Sequence, residues 1–370
     1  MSNLVGVEQY QVSAMVGRML VPLSLTVPFF IVFLMDGVKG VKETFPAILV
    51  AAVSFTGTQF LSSNFLGAEL PDIASAVVSL ACTTIFLKFW KVKNVFRLDD
   101  VKDFTNHSKL SLGVVFKAWL PFILLIACIV VWTQDWFKAF FKKGSVFDYT
   151  QVTMVFKNME SAIQNAAGNA VNLDLAFNLI ALQGGTAILL AAVLTILFLR
   201  IKLNVVEEAL GDTLKEMAIP CITIGLVVAF AFISRNSGMS ETLGRAFAES
   251  GNAFAFFSPI VGWLGVFITG SDTSSNLLFG TLQQVSAQQL GIKEALFLAA
   301  NSVGGVVGKM ISPQSIAIAC AAVGLVGRES ELFRFTLKYS IGFILIIGVW
   351  TAIIALFLNG IIPDIVPLAK

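Results

Sequence analysis

Apolar residues run along this chain in long blocks separated by short polar or charged stretches. Seven blocks, at 19–35, 45–61, 73–87, 114–133, 184–199, 217–234 and 339–358, come near the ~20 residues that a helix needs to cross a bilayer's hydrocarbon core. An eighth region, 252–327, is equally apolar but is interrupted twice. The first interruption is Thr269-Gly270-Ser271-Asp272-Thr273-Ser274-Ser275-Asn276. The second runs from Asn301-Ser302 through Gly304-Gly305 and Gly308-Lys309 to Ser312-Pro313-Gln314-Ser315. Glycines and a proline in such a setting unwind helices, and the freed backbone groups are tolerated only where protein or a cavity satisfies them. The pattern predicts an all-α, polytopic integral membrane protein with re-entrant or broken helices.

Composition agrees. Of 370 residues, 56% are hydrophobic and only 13% charged, against about a quarter charged in soluble domains. Mean hydropathy is +0.84. The net charge of +2 gives no reason to expect a nucleic-acid partner. Residues 1–15 contain no Lys or Arg and no apolar core, so they do not read as a signal peptide. Cys82, Cys128, Cys221 and Cys320 sit singly in apolar runs, without metal-ligand spacing, and read as small buried hydrophobes. His107, the only histidine, reads as a surface residue. No nucleophile–base set, metal spacing or phosphate loop appears, so neither an enzyme nor a cofactor is expected.

Lysines and arginines in short loops orient the spans. Loop 88–113, with Lys88, Lys91, Lys93, Arg97, Lys102 and Lys109, reads as cytoplasmic. Alternation then places Lys39 and Lys42 inside, 62–72 and 134–183 outside, Arg200, Lys202 and Lys215 inside, and 235–250 outside. Arg328, Arg334 and Lys338 read as cytoplasmic, so 252–327 crosses an odd number of times. Either a hairpin at 252–290 with its tip at 269–276 precedes a broken crossing at 294–327, or the broken crossing comes first. The Gln-rich stretch 277–290 favours the hairpin first. The same parity puts Met1 outside. Residues 135–143 mix aromatics with lysines as an interfacial segment does, and 158–178, rich in Asn and Ala, reads as a short helix over the outer face.

Polar groups at hydrocarbon depth are expensive and usually face a pathway, a partner or a cavity. An acidic side chain there either pairs with a cation or takes up a proton, so Asp272 reads as a proton-coupling group, with helix capping as the plainer alternative. Lys309 suits the counter-ion of an anionic substrate, or is a lysine reaching to the interface. Thr269, Ser271, Thr273, Ser274, Ser275, Asn276, Asn301, Ser302, Ser312, Gln314 and Ser315 can all donate to carboxylate oxygens, helped by a half-helix N-terminus, or could hold Na⁺. Gly304 and Gly308 also form a small-xxx-small pair, which packing alone would explain. Ser62-Ser63-Asn64 and Glu69-Leu70-Pro71-Asp72 lie at an outer boundary, where they line an entrance or form an ordinary loop.

Several long stretches carry a resemblance. Thr-Gly-Ser-Asp-Thr-Ser-Ser-Asn (269–276), Gly-Lys-Met-Ile-Ser-Pro-Gln-Ser-Ile-Ala (308–317), Ala-Val-Gly-Leu-Val-Gly-Arg-Glu-Ser (322–330), Leu-Ser-Ser-Asn-Phe-Leu-Gly-Ala-Glu-Leu-Pro-Asp (61–72) and Met-Asp-Gly (35–37) resemble the L-lactate permease family. The resemblance implies an all-helical secondary transporter of the inner membrane, with related halves, that moves lactate and often glycolate or similar 2-hydroxy acids with protons. It points to Asp272, the hydroxyls around it, Asn276, Lys309 and Ser312 to Ser315 as site residues. Family members carry a further membrane region before the position of Met1. The chain is therefore expected to be a C-terminal portion with an incomplete inverted-repeat fold, partnered by a small carboxylate, protons, the bilayer and a separate N-terminal half. The alternative expectation is a non-transporting fragment.

Overall fold

The computed structural model describes residues 5–92, 111–141, 144–154, 175–178, 185–325 and 327–364. They fall into two compact units, 1–96 with 222–370, and 97–221.

The first unit opens with α1, Gln9–Phe65, which is two helical arms. Non-helical angles at Asp36 (φ −137°, ψ 18°) and Gly37 (φ 59°, ψ −154°) separate them. The second pair of angles lies in a region essentially closed to residues with a Cβ. The arms fold back on each other: Ser24 Oγ donates to Gln59 Oε1 at 2.5 Å, Arg18 Nε donates to Asn64 Oδ1 at 2.8 Å, and the Phe29 and Phe45 rings lie 5.7 Å apart. The blocks 19–35 and 45–61 are thus the two arms of one hairpin, turning at the Met-Asp-Gly motif. Helix α2, Pro71–Phe89, starts on a proline, which suits a first helical position. It packs along α1, with Ser79 Oγ donating to the Ala51 carbonyl at 3.1 Å.

The second unit holds α3, Leu112–Thr133, the short α4, Asp135–Ala139, strands β1, Gln151–Met154, and β2, Leu175–Asn178, and α5, Gly185–Leu199. Cys128 of α3 and Ala187 and Ala191 of α5 are its buried contact. Aromatic rings pack at 135–141, with Phe137 4.5 Å from Trp132. β1 and β2 pair antiparallel, Gln151 opposite Asn178. The helix expected at 158–178 is therefore a strand over its last four residues; Val152, Thr153 and Phe177 suit a strand. The rest of that expectation, His107 and most of loop 88–113 lie outside the described residues. Helix α6, Leu203–Asn236, begins in this unit and ends in the first. Of the cysteines, Cys128 and Cys320 are buried, whereas Cys82 is partly and Cys221 fully exposed, because those helices turn that face outward.

The first unit resumes with α7, Met239–Ala248, α8, Phe254–Thr269, α9, Asp272–Leu290, α10, Glu294–Gly308, a 3₁₀ turn at Lys309–Ile311, α11, Pro313–Ala322, and α12, Glu329–Phe357. Helix α10 is its centre. Every residue from Ala295 to Asn301 is buried, because α1, α8, α9 and α12 all pack on it. Glycines set the closest crossing. A Cβ on Gly304 would strike the Pro259 carbonyl, and one on Gly262 the Asn301 carbonyl. Backbones touch there, as small residues allow in membranes. Gly304 and Gly308 thus lie inside regular helix and serve packing; the unwinding expected at Gly304 is absent. The break falls later, where the 3₁₀ turn gives way to extended Ser312 (φ −64°, ψ 134°).

Helices α8 and α9 form a hairpin that turns at Gly270 (φ 70°) and Ser271, and it precedes the broken pair α10–α11. Helix α9 tolerates its glutamines and serines because protein surrounds them. Ser286 Oγ donates to the Gly244 carbonyl of α7 at 2.9 Å, and Gln284 donates to Glu294 at 2.7 Å. The hairpin tip does not stand opposite the middle of α12. Phe267 packs its ring 6.1 Å from Phe333, early in α12. Sixteen residues of α8 rise about 24 Å.

Candidate functional site

A cavity of about 1320 Å³ opens inside the first unit. Its walls are largely apolar, from α1 and from Val306, Val307 and Phe343. Polar groups come from four places: Ser13, Ser24, Gln59 and Ser63 on the arms of α1, Asp72 at the start of α2, Asp272 and Thr273 at the start of α9, and Ser302 on α10. A mostly apolar concavity with a few convergent polar groups is the usual form of a small-molecule site.

Asp272 lies where the hairpin tip meets α10. Ser271 is the N-cap of α9, its hydroxyl accepting from the Ser274 N–H at 3.3 Å. The capping role weighed for Asp272 therefore belongs to its neighbour, and the Asp272 carboxylate is free for other work. Its Oδ2 accepts from Asn276 Nδ2 at 3.0 Å. Its Oδ1 is buried with no hydrogen-bond partner and rests against Gly305, in the space a Cβ would fill.

Behind Asp272 runs a chain of amides, buried at Asn301 and Gln283. Asn276 Oδ1 accepts from Asn301 Nδ2 at 2.8 Å and from Ser302 Oγ at 3.1 Å. Asn301 Oδ1 accepts from Gln283 Nε2 at 3.2 Å. Gln283 is completely buried; its Nε2 also donates to the Ser258 carbonyl at 2.9 Å, and its Oε1 accepts from Ser258 Oγ at 2.8 Å. Every amide in this series donates toward the carboxylate. The arrangement ties α8, α9 and α10 together and fixes which face of Asp272 is left open.

The other expected site residues divide between the two interruptions. Thr269 Oγ1 is 2.7 Å from the Gly265 carbonyl and accepts from the Ser271 N–H at 3.2 Å, so it shapes the turn. Ser275 is buried and donates to the Gly262 carbonyl at 3.1 Å, and Ser274 is buried beside it. Ser312 caps α11, with Ser315 as its partner at 2.9 Å. Gln314 is exposed and lies beside Gly270. None of these lines the cavity. Lys309 is also exposed; its Nζ donates to the Gly270 carbonyl, the C-terminal end of α8, where a cation is favoured. Lys309 thus clasps the two interruptions together, and among the described residues it forms no ion pair with Asp272. Of the expected set, Asp272, Thr273 and Ser302 face the cavity, and Asn276 and Asn301 stand directly behind them.

Sequence reasoning passed over Ser24, Gln59, Ser258 and Gln283. Ser24 and Gln59 could have been noticed as polar residues inside apolar blocks. Gln283 served only to mark 277–290 as a poor span. Ser63 and Asp72, weighed as entrance or loop, do line the cavity.

Among the described residues six helices are long and apolar enough to cross a membrane, and the first unit encloses a polar-tipped cavity; together they define a multi-pass membrane transporter. The chain belongs to the L-lactate permease family, whose profile matches residues 1–358. It is 48% identical over 373 residues to the L-lactate permease of Escherichia coli K12 and 47% identical to that of Salmonella typhimurium; each alignment covers 98% of this chain and 67% of the relative. It is 44% identical to the Escherichia coli glycolate permease over 97% of this chain and 67% of that protein. These relatives are named for transport, not for a reaction. No solved structure matches. The protein is a multi-pass protein of the inner membrane. The family match runs from the first residue, so the expectation of a C-terminal portion is not borne out by it; the chain spans about two thirds of the length of these relatives, 67%.

Proposed function

We propose that this chain carries small 2-hydroxy monocarboxylates, L-lactate and glycolate among them, across the membrane together with protons. The observation that carries the reading is the buried, unpartnered Oδ1 of Asp272, a residue on the wall of the 1320 Å³ cavity. A proton on that oxygen offsets the charge of a carboxylate brought beside it, and moving the two together avoids taking a net charge through hydrocarbon. Thr273 and Ser302 offer hydroxyls to the substrate, while Asn276, Asn301 and Gln283 hold the carboxyl in place. Thr269, Ser271, Ser274, Ser275, Lys309, Ser312, Gln314 and Ser315 build the frame in which the hairpin at 252–290 and the broken crossing at 294–327 meet.

Uptake of labelled L-lactate into proteoliposomes tests this. With an inward proton gradient, lactate accumulates, and an uncoupler abolishes the accumulation. Asp272→Asn loses gradient-driven accumulation but keeps lactate–lactate exchange. Gradient-driven accumulation at the wild-type rate in Asp272→Asn would overturn the assignment.

A further inference from the structure

A second cavity, about 460 Å³, lies away from Asp272, between the first arm of α1, the end of its second arm and the end of α12. Arg18, Asn64 and Trp350 bring its polar groups; Val21, Phe60, Phe65 and Ile361 bring apolar surface. Arg18 is partly buried. It spends Nε on Asn64 Oδ1 at 2.8 Å and Nη1 on the Ile361 carbonyl, which leaves further N–H donors of its five-donor fork. Among the described residues no carboxylate pairs with it. Trp350 adds an independent observation: its indole nitrogen is buried and has no hydrogen-bond partner. A half-buried guanidinium without a counter-ion and an orphaned donor are both costly alone. One oxyanion that reached the two donors would satisfy both.

We propose that this cavity is a second anion site, in which the carboxylate of a small 2-hydroxy acid is held by Arg18 and the Trp350 N–H. A guanidinium fork matches a carboxylate, and the apolar wall takes the short carbon chain. A lipid headgroup phosphate presents the same oxyanion chemistry at a membrane protein's surface and is the other source of the ligand. The substrate class proposed above guides only the choice of probe.

The test measures thermal unfolding of the purified full-length chain in phospholipid-free detergent. L-Lactate is titrated at constant ionic strength against chloride, and only the part of the response that substitutions at Arg18 and Trp350 alter is assigned to this cavity. A ligand that binds only the folded chain raises the unfolding temperature. Lactate is expected to raise it saturably, with the half-saturating concentration about tenfold higher in Trp350→Phe, since a hydrogen bond to a charged group is lost. Arg18→Lys keeps the charge but not the fork and is expected to weaken the response likewise. Trp350→Phe breaks no hydrogen bond seen in the structure, so its unliganded stability should match the parent and keep the comparison sound. A shift produced by short-chain phosphatidylglycerol but not by lactate, and lost in the same variants, supports the oxyanion site with lipid as its occupant. A lactate response unchanged in both variants, or no response to either probe, overturns the site. Neither result touches the role proposed for Asp272, which stands on proton-driven uptake.

Discussion

At the scale of single residues, the buried Oδ1 of Asp272 keeps its place because position 305 is glycine. A Cβ there would strike Asp272 Oδ1 and lie 2.8 Å from Val266 Cγ2, side-chain atoms rather than backbone. The neighbouring Gly304 faces the Pro259 backbone instead. Gly305→Ala is expected to reduce lactate uptake at least tenfold while barely changing the unfolding temperature. Gly304→Ala is expected to destabilise the fold by about 1–3 kcal/mol through overpacking. Uptake assays beside thermal unfolding of both variants separate the two effects. Equal loss of stability would mean that Gly305 too is a packing residue. Gln283→Leu strands the buried Asn301 Oδ1 and Ser258 hydroxyl, which costs about 1–3 kcal/mol and is read from the same unfolding curves. Asp272 and Asn276 were legible in the sequence because a charge and an amide stand out in an apolar block. Gln283 was not, because its meaning comes from Ser258 and Asn301, far away in the chain.

At the scale of elements, hairpins organise the first unit. The α1 hairpin turns on Asp36 and Gly37, and the φ/ψ pair of Gly37 belongs to glycine. Gly37→Ala should therefore lower stability by about 1–3 kcal/mol. Gly57, mid-arm with nothing within 4 Å of a Cβ, is the control: Gly57→Ala should be neutral or gain about 0.5–1 kcal/mol. Thermal unfolding of the two variants decides it, and equal effects would remove the turn from its place in the fold. The arms themselves were legible as 19–35 and 45–61, and Lys39 and Lys42 fall at the turn end of the second arm. The strand pair β1–β2 was not, since pairing of residues 151–154 with 175–178 is not a local property of either segment.

For the molecule as a whole, Lys39 and Arg334 should lie on the cytoplasmic side and Gly360 on the other, since positive residues stay inside and α12 is long enough to cross. In a background without the four native cysteines, Lys39→Cys and Arg334→Cys should react with a membrane-impermeant maleimide only when it reaches the cytoplasmic face, and Gly360→Cys only from outside. Labelling of all three from one face would mean that α12 does not span the membrane.

The sequence by itself determined the class, the place of most apolar helices, and the two polar interruptions. Each of these is a sum over neighbouring residues, because the cost of taking a block of side chains out of water is set block by block. The tertiary structure alone decided which polar groups work together. Six hydroxyl or amide residues within 269–276 look alike as donors, yet helical phase turns Thr273, with Asp272 beside it, to the cavity and Ser275 onto the Gly262 carbonyl. Gly304 and Gly308, which suggest unwinding when read along the chain, are held straight by the backbone of α8 pressed against them. Contacts between distant elements make those choices, and a residue's own neighbours carry no record of them.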